Sequence, residues 1–244
     1  MRSHAFRYMS LSLAASAIAI ATASIRPAVA QNPDVQKKIA DLKESLAKNK
    51  QALAQYTWVE EDTISIKGEQ RKKEQFQVSI DSDGKQRKSP INLPDQPQSS
   101  GGRGGRLKQH VVEKKVEEYK EYADQIRDLL QQYVPPDKDR LEFARVKGNV
   151  HVQPPADASG QYTIVISGYI REGDNVTLVI DGTRKNVVSL SIASYLNQDP
   201  KDAVTVSAHF AALPNGPNHV ASLVVNGVSK QLTIAIANGN YQKN

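Results

Sequence analysis

Residues 161–196 read QYTIVISGYIREGDNVTLVIDGTRKNVVSLSIASYL, and that stretch decides the fold. Tyr162, Ile164 and Ile166, then Val176, Leu178 and Ile180, then Val188, Leu190, Ile192 and Leu196 stand at even spacings, the period at which a strand shows one face. Glu172-Gly173 and Asp181-Gly182 separate the runs. Downstream the same period returns in Val204, Val206 and Phe210, in Leu223 and Val225, and in Leu232, Ile234 and Ile236. Asn197 to Pro200, Pro214-Asn215-Gly216-Pro217 and Asn226-Gly227 punctuate them, so six short strands joined by tight turns predict an antiparallel meander. No helical period lies between these strands, which excludes a parallel α/β sheet. Each strand has one apolar and one mixed face, so the sheet should be covered on one side.

Upstream of the Pro154-Pro155 break, period two begins at Tyr56: Tyr56, Trp58, Ile64 and Ile66 point one way, and Thr57, Val59, Thr63 and Ser65 the other. Lys67-Gly68 can turn the chain, Phe76, Val78 and Ile80 rebuild an apolar face, and Asp83-Gly84 marks a second turn. Glu60 and Asp62 fall on the apolar side. A bulge or exposed rim is the preferred explanation over acids facing a cavity, because a buried carboxylate is costly without partners. Ser89 to Arg106, with three prolines and Gly101-Gly102-Arg103-Gly104-Gly105-Arg106, reads as a flexible loop (residues 89–106).

The cover comes from helices. Asn32-Pro33-Asp34 is a capped start, and Val35, Ile39, Leu42, Leu46 and Leu53 make one apolar face to about Gln55. A helical insert spans 107–147. Leu107, Val111, Val116, Tyr119, Ala123, Ile126, Leu129, Leu130 and Tyr133 form its stripe, ended by Pro135-Pro136, and a short third helix runs from about Asp137 to Lys147, closed by Gly148. The expected class is α+β: a curved antiparallel sheet of about eight or nine strands, covered on one face by two or three helices.

Arg2, His4 and Arg7, an apolar run from Leu11 to Ala23, and Ala28-Val29-Ala30 before Gln31 follow the plan of a secretory signal over residues 1–30. Cleavage is expected after Ala30, with Ala23 a second candidate. The run falls short of the ~20 residues that span a bilayer. Residues 31–244 would then form a single periplasmic or secreted domain. With no cysteine in the chain there is no lipidation site, disulfide, thiol nucleophile or thiolate metal site. The net charge is +6, and loss of Arg2, Arg7 and Arg26 leaves +6 − 3 = +3. Lys67, Arg71, Lys72, Lys73, Lys85, Arg87, Lys88, Arg103, Arg106, Lys108, Lys114 and Lys115 crowd one region, which predicts a local cationic face. Arg71, Lys72, Lys73, Arg103 and Arg106 are its candidate contacts to an anionic surface.

No nucleophile elbow, zinc-protease motif, phosphate loop or dinucleotide fingerprint is present. His110, His151, His209 and His219 are unpaired at metal spacing, and His209 should face the polar side of its strand. Glu60-Glu61-Asp62 alternates faces, which argues against a paired catalytic carboxylate. The two arginines among glycines lack interleaved aromatics, so nucleic acid is not an expected partner. No catalytic residue, metal or cofactor is expected. Trp58 and Tyr56 sit where the first helix meets the first strand, as core packing or as the lining of an opening.

The order of parts, a signal, a capped amphipathic helix, a hairpin carrying Tyr56-Thr57-Trp58, a helical insert and a long meander, resembles the periplasmic lipoprotein-carrier (LolA-like) superfamily. Gln55 to Glu60, Lys67 to Glu74, Tyr133-Val134-Pro135-Pro136 and Asp199 to Val204 also resemble stretches of exported bacterial proteins. The resemblance implies a half-barrel closed by helices over an apolar cavity. The expected function is a non-enzymatic periplasmic binding or carrier protein for a lipid-like or acyl ligand, with Tyr56, Trp58, Phe76 and Tyr162 as candidate ligand contacts. The alternative is an envelope structural or regulatory protein-interaction module without a cavity.

Overall fold

The computed structural model describes residues 44–91, 105–134, 136–155 and 159–244, apart from the side chains of 105–113 and of residue 138. The expected signal peptide, the start of the first helix and Arg103 lie outside the described residues. A helix over residues 44–53 (α1) leads into β1 (Tyr56–Ile66), β2 (Glu69–Ile80) and β3 (Gln86–Pro90). Then come α2 (Gly105–Leu130) and α3 (Lys138–Val146), and after them β4 (Val150–Gln153), β5 (Gln161–Ser167), β6 (Asn175–Asp181), β7 (Asn186–Tyr195), β8 (Ala203–Ala212), β9 (Asn218–Gly227) and β10 (Leu232–Lys243).

All ten strands form one antiparallel sheet in the order β3-β2-β1-β10-β9-β8-β7-β6-β5-β4. Every neighbour is a hairpin partner except β1 and β10, which bring the two ends of the domain together with Ile64 opposite Ile234. Lys67 and Gly68 both have positive φ, 55° and 79°, the geometry a two-residue hairpin turn requires.

The sheet has ten strands where eight or nine were expected, because β3 carries no apolar alternation and that of β4, Val150-His151-Val152-Gln153, lasts only four residues. Arg87, Lys88 and Ser89 in β3 and His151 and Gln153 in β4 are polar, as suits the two edges of an open sheet. Two boundaries change with them. Ser89 and Pro90 belong to β3, and Gly105 and Arg106 to α2, so the expected loop over 89–106 is shorter at both ends. The insert 107–147 holds α2 and α3, which connect the opposite edges of the sheet. Asp137 caps α3 by accepting the Arg140 N–H at 2.9 Å.

One face of the sheet is covered. Tyr122, Ala123, Ile126, Leu129 and Leu130 recur along one side of α2 and pack on Ile64, Ile192, Val206, Val225 and Ile234. Ile126 and Leu130 are fully buried, each worth roughly 1.5–3 kcal/mol. At the opposite end of the strands, Leu46 of α1 packs on a second cluster of Leu178, Ile180 and Val187, and Asn49 Oδ1 accepts the Asn218 N–H at 3.0 Å.

Asn226-Gly227 is not a turn. The turn is at 228–231, and Gly227 closes β9 directly beneath α2. A Cβ there would stand 2.5 Å from Tyr122 Cε1 and 2.8 Å from Ile126 Cδ1. Gly227→Ala is therefore expected to destabilise the fold by about 1–3 kcal/mol through overpacking, read as a lower urea midpoint at unchanged slope. An unchanged midpoint would mean that α2 does not rest on this strand.

Candidate functional site

The inner face of the sheet changes character from one arm to the other. On β5 to β9, Ile164, Ile166, Val176, Leu190, Phe210 and Val220 are only half-buried, although they pack against the two helix-covered clusters. Leu190 and Phe210 touch both clusters. They mark an apolar seam between the ground covered by α1 and that covered by α2.

On the β1–β3 arm the same face is charged. Strand period puts Trp58, Glu60, Asp62 and Ile64 on one side of β1, and Ile64 belongs to the core under α2, so both acids point inward. The expected bulge or rim at Glu60 and Asp62 does not occur. Register shifts fall between Thr57 and Val59 and between Ile64 and Ser65, on either side of them. Glu60 is 0% exposed and Asp62 7%. What makes their burial tolerable is Lys88: Glu60 pairs with Phe76 across β1–β2, Phe76 with Pro90 across β2–β3, and from that edge Lys88 Nζ reaches back to Glu60 Oε1, its side chain 9% exposed. Lys88 Nζ also lies 5.9 Å from the centroid of Phe76.

Only one of these oxygens is satisfied by the pair. With Asp62 ionised, no donor among the described residues meets Glu60 Oε2 or Asp62 Oδ1; when Asp62 holds a proton, its carboxyl hydrogen-bonds Glu60. Burial, and then the negative charge of Glu60, push the Asp62 carboxyl up to about 7, against a smaller opposing pull from Lys88. Near neutrality Asp62 therefore keeps its proton about half the time. Glu61, one residue between, points to the other face, where Lys73 and Gln75 each bond it at 2.8 Å and hold its carboxyl below the usual range.

Trp58 donates through Nε1 to Asn238 Oδ1 at 3.0 Å and stacks on Tyr241 with ring centroids 5.5 Å apart. It is 2% exposed, so it packs as core in this state. Burial and the charge of Glu60 push the Tyr241 phenol up. His219 lies 4.2 Å from the Tyr241 ring, and burial pushes its imidazole down, toward the neutral form. Among the described residues no group of three or more His, Asp or Glu is placed to hold a metal.

The candidate ligand contacts do not all gather. Trp58 and half-buried Phe76 are neighbours on β1 and β2, and Tyr56 starts β1, but Tyr162 packs with Ile180 and Val187 near α1. β1 is third and β5 ninth in the sheet order. Nor do the basic side chains among the described residues make one cationic face. Lys72, opposite Ile64, faces inward and pairs with Glu74 at 2.8 Å. Lys73, opposite Thr63, faces outward and pairs with Glu61, Arg71 pairs with Glu69, and Arg87 with Asp81. Period two divides the run between faces, and strand neighbours supply acids that are distant in sequence. Arg106 lies in α2. His209 is exposed on β8, as its phase requires. The Glu60–Lys88 pair was invisible to sequence reasoning, although two acids in phase with Trp58 and Ile64 were its signal.

No protein-family model matches the chain, and no curated protein matches it. A solved structure of a LolA superfamily protein from Nitrosomonas europaea is similar to it with a TM-score of 0.36 and 10% sequence identity, over 83% of this chain and 93% of that one.

Proposed function

We propose that this protein is a non-enzymatic carrier of the periplasm or cell exterior that holds a lipid-like or acyl group along the seam between α1 and α2. The observation that carries the reading is the half-buried row through Leu190 and Phe210, which packs against both helix-covered clusters. A chain of about a dozen methylenes laid there would gain on the order of 10 kcal/mol before ordering costs, so affinity needs no polar motif. Organic extraction of protein purified from its native compartment, followed by mass spectrometry, should find acyl lipid. Phe210→Asp should weaken binding of a fluorescent fatty-acid probe at least tenfold while moving the melting temperature by only a few degrees. Protein that is empty and blind to the probe would sink the reading.

A protein-interaction module is the second reading. It is favoured by Phe143 and Val146, exposed on α3, and by Val152, exposed on the edge strand β4. An empty seam together with loss of a native partner on Phe143→Asp would select it.

A further inference from the structure

The charged arm of the inner face is a different matter from the apolar seam, and its chemistry is specific. Two buried carboxyl groups, Glu60 and Asp62, stand two residues apart on one face of β1 and share a single buried cation, Lys88. With Asp62 ionised, the pair leaves Glu60 Oε2 and Asp62 Oδ1 accepting nothing from any described residue, both out of contact with solvent; when Asp62 holds a proton, its carboxyl hydrogen-bonds Glu60. An orphaned buried acceptor costs about 1–3 kcal/mol, more when charged. In the ionised state, two of them side by side on a face that also carries the hydrophobic core call for a donor with more than one N–H.

The surroundings fix the sign of that donor. Facing Asp62 are Glu60 on its own strand, Glu74 opposite it on β2 and Lys88 from β3. Lys72 of β2 is engaged with Glu74, and β10 offers the uncharged Ile236 opposite Asp62. With all three acids ionised the count is three negative to two positive, so the site lacks one positive charge. Without a ligand, retaining the Asp62 proton makes good that deficit.

Resting on the carrier reading for the rest of the molecule, we infer that the Glu60–Asp62 site takes a protonated primary amine: a headgroup ammonium whose N–H groups bond Glu60 Oε2 and Asp62 Oδ1 and whose charge replaces the Asp62 proton. Trimethylated ammonium carries the charge without the donors. A carboxylate carries neither.

Trp58, the single tryptophan, lies two residues before Glu60 on the same face and reports on the site. Dodecylammonium, dodecyltrimethylammonium and dodecanoate, each below its micelle threshold, are titrated against the full chain and followed by Trp58 emission and by displacement of an acyl probe. The inference expects dodecylammonium to bind about tenfold or more tightly than the other two at pH 8. It also expects its affinity to fall several-fold at pH 6, where most sites hold the proton, the amine itself staying charged throughout. Asp62→Asn should abolish both the preference and the pH dependence.

Equal binding of the three probes, or a preference that survives Asp62→Asn, overturns the inference and leaves the carrier reading standing. Should no long-chain probe bind, the carrier reading falls, and the site is judged by butylammonium alone. That amine must move the Asp62 carboxyl titration, followed by carbon NMR, to lower pH; an unmoved midpoint overturns the site as well.

Discussion

Asp174→Ala is expected to be among the most damaging single substitutions in the chain, lowering stability by on the order of 4 kcal/mol. The residue is 0% exposed, and its carboxylate accepts the backbone N–H groups of Tyr169 at 2.6 Å, Ile170 at 2.9 Å and Arg171 at 3.0 Å. The Tyr133 hydroxyl donates to the same carboxylate at 2.5 Å and lies 2.8 Å from Ser194 Oγ. Burial, then the carboxylate beside it, pushes the Tyr133 phenol up, so it stays a donor at any physiological pH.

This one side chain ties the β5–β6 connection to the segment that follows α2. Removing it strands one buried and two part-buried backbone donors, each costing about 1–3 kcal/mol unless water enters, and leaves the Tyr133 hydroxyl with Ser194 alone. Asp174→Asn keeps the shape and one acceptor oxygen and should cost roughly half as much. For a domain of this size a loss of 4 kcal/mol is about 10 °C in Tm. Thermal and urea unfolding of the two variants measure it, and a cost below about 1 kcal/mol for the alanine variant would show that the network does not hold the helix end to the sheet.

The second large effect concerns Asp62 and runs the opposite way to most carboxylates. Its folded value of about 7 lies above the unfolded 3.8, so between these limits the folded protein binds more protons than the unfolded chain. Stability contributed by this group is therefore full below about pH 4, falls as pH rises through that window, and has gone above about pH 7. A three-unit difference corresponds to a few kcal/mol. Asp62→Asn, which mimics the protonated form, should be the more stable protein at pH 8 by a few kcal/mol and should equal the wild type near pH 4.

The comparison of the two proteins across pH isolates the coupled Glu60–Asp62 pair from the other titrating groups, because those are shared. A difference that stays flat from pH 4 to pH 8 would mean that Asp62 is ionised at ordinary acidity and not pressed by Glu60. The same buried proton underlies the proposed exchange with an ammonium group: a site that already prefers a positive partner gains most from one that brings its own N–H donors.

Much of the fold could be read locally. The six strands of the meander announced themselves because a half-buried strand must alternate and a tight turn needs Gly, Asn or Pro; both constraints act within about ten residues. The stripe of α2 and the Lys67-Gly68 turn are of the same kind. Asn226-Gly227 misled because the glycine serves a neighbour in space: it makes room for Tyr122, more than a hundred positions earlier.

What tertiary structure alone decided is every feature whose partner lies far along the chain. Edge strands β3 and β4 pair on one side only, and β3 has no apolar pattern while that of β4 is four residues long. The β1–β10 contact joins Trp58 to Asn238 across 180 positions. The inward burial of Glu60 and Asp62 depends on Lys88 arriving from an edge strand that has no apolar signature. The physical reason is the cost of burying charge: an acid in phase with a core face is tolerable only if a cation or a proton accompanies it, and local sequence does not say which residue will be beside it once the sheet has formed.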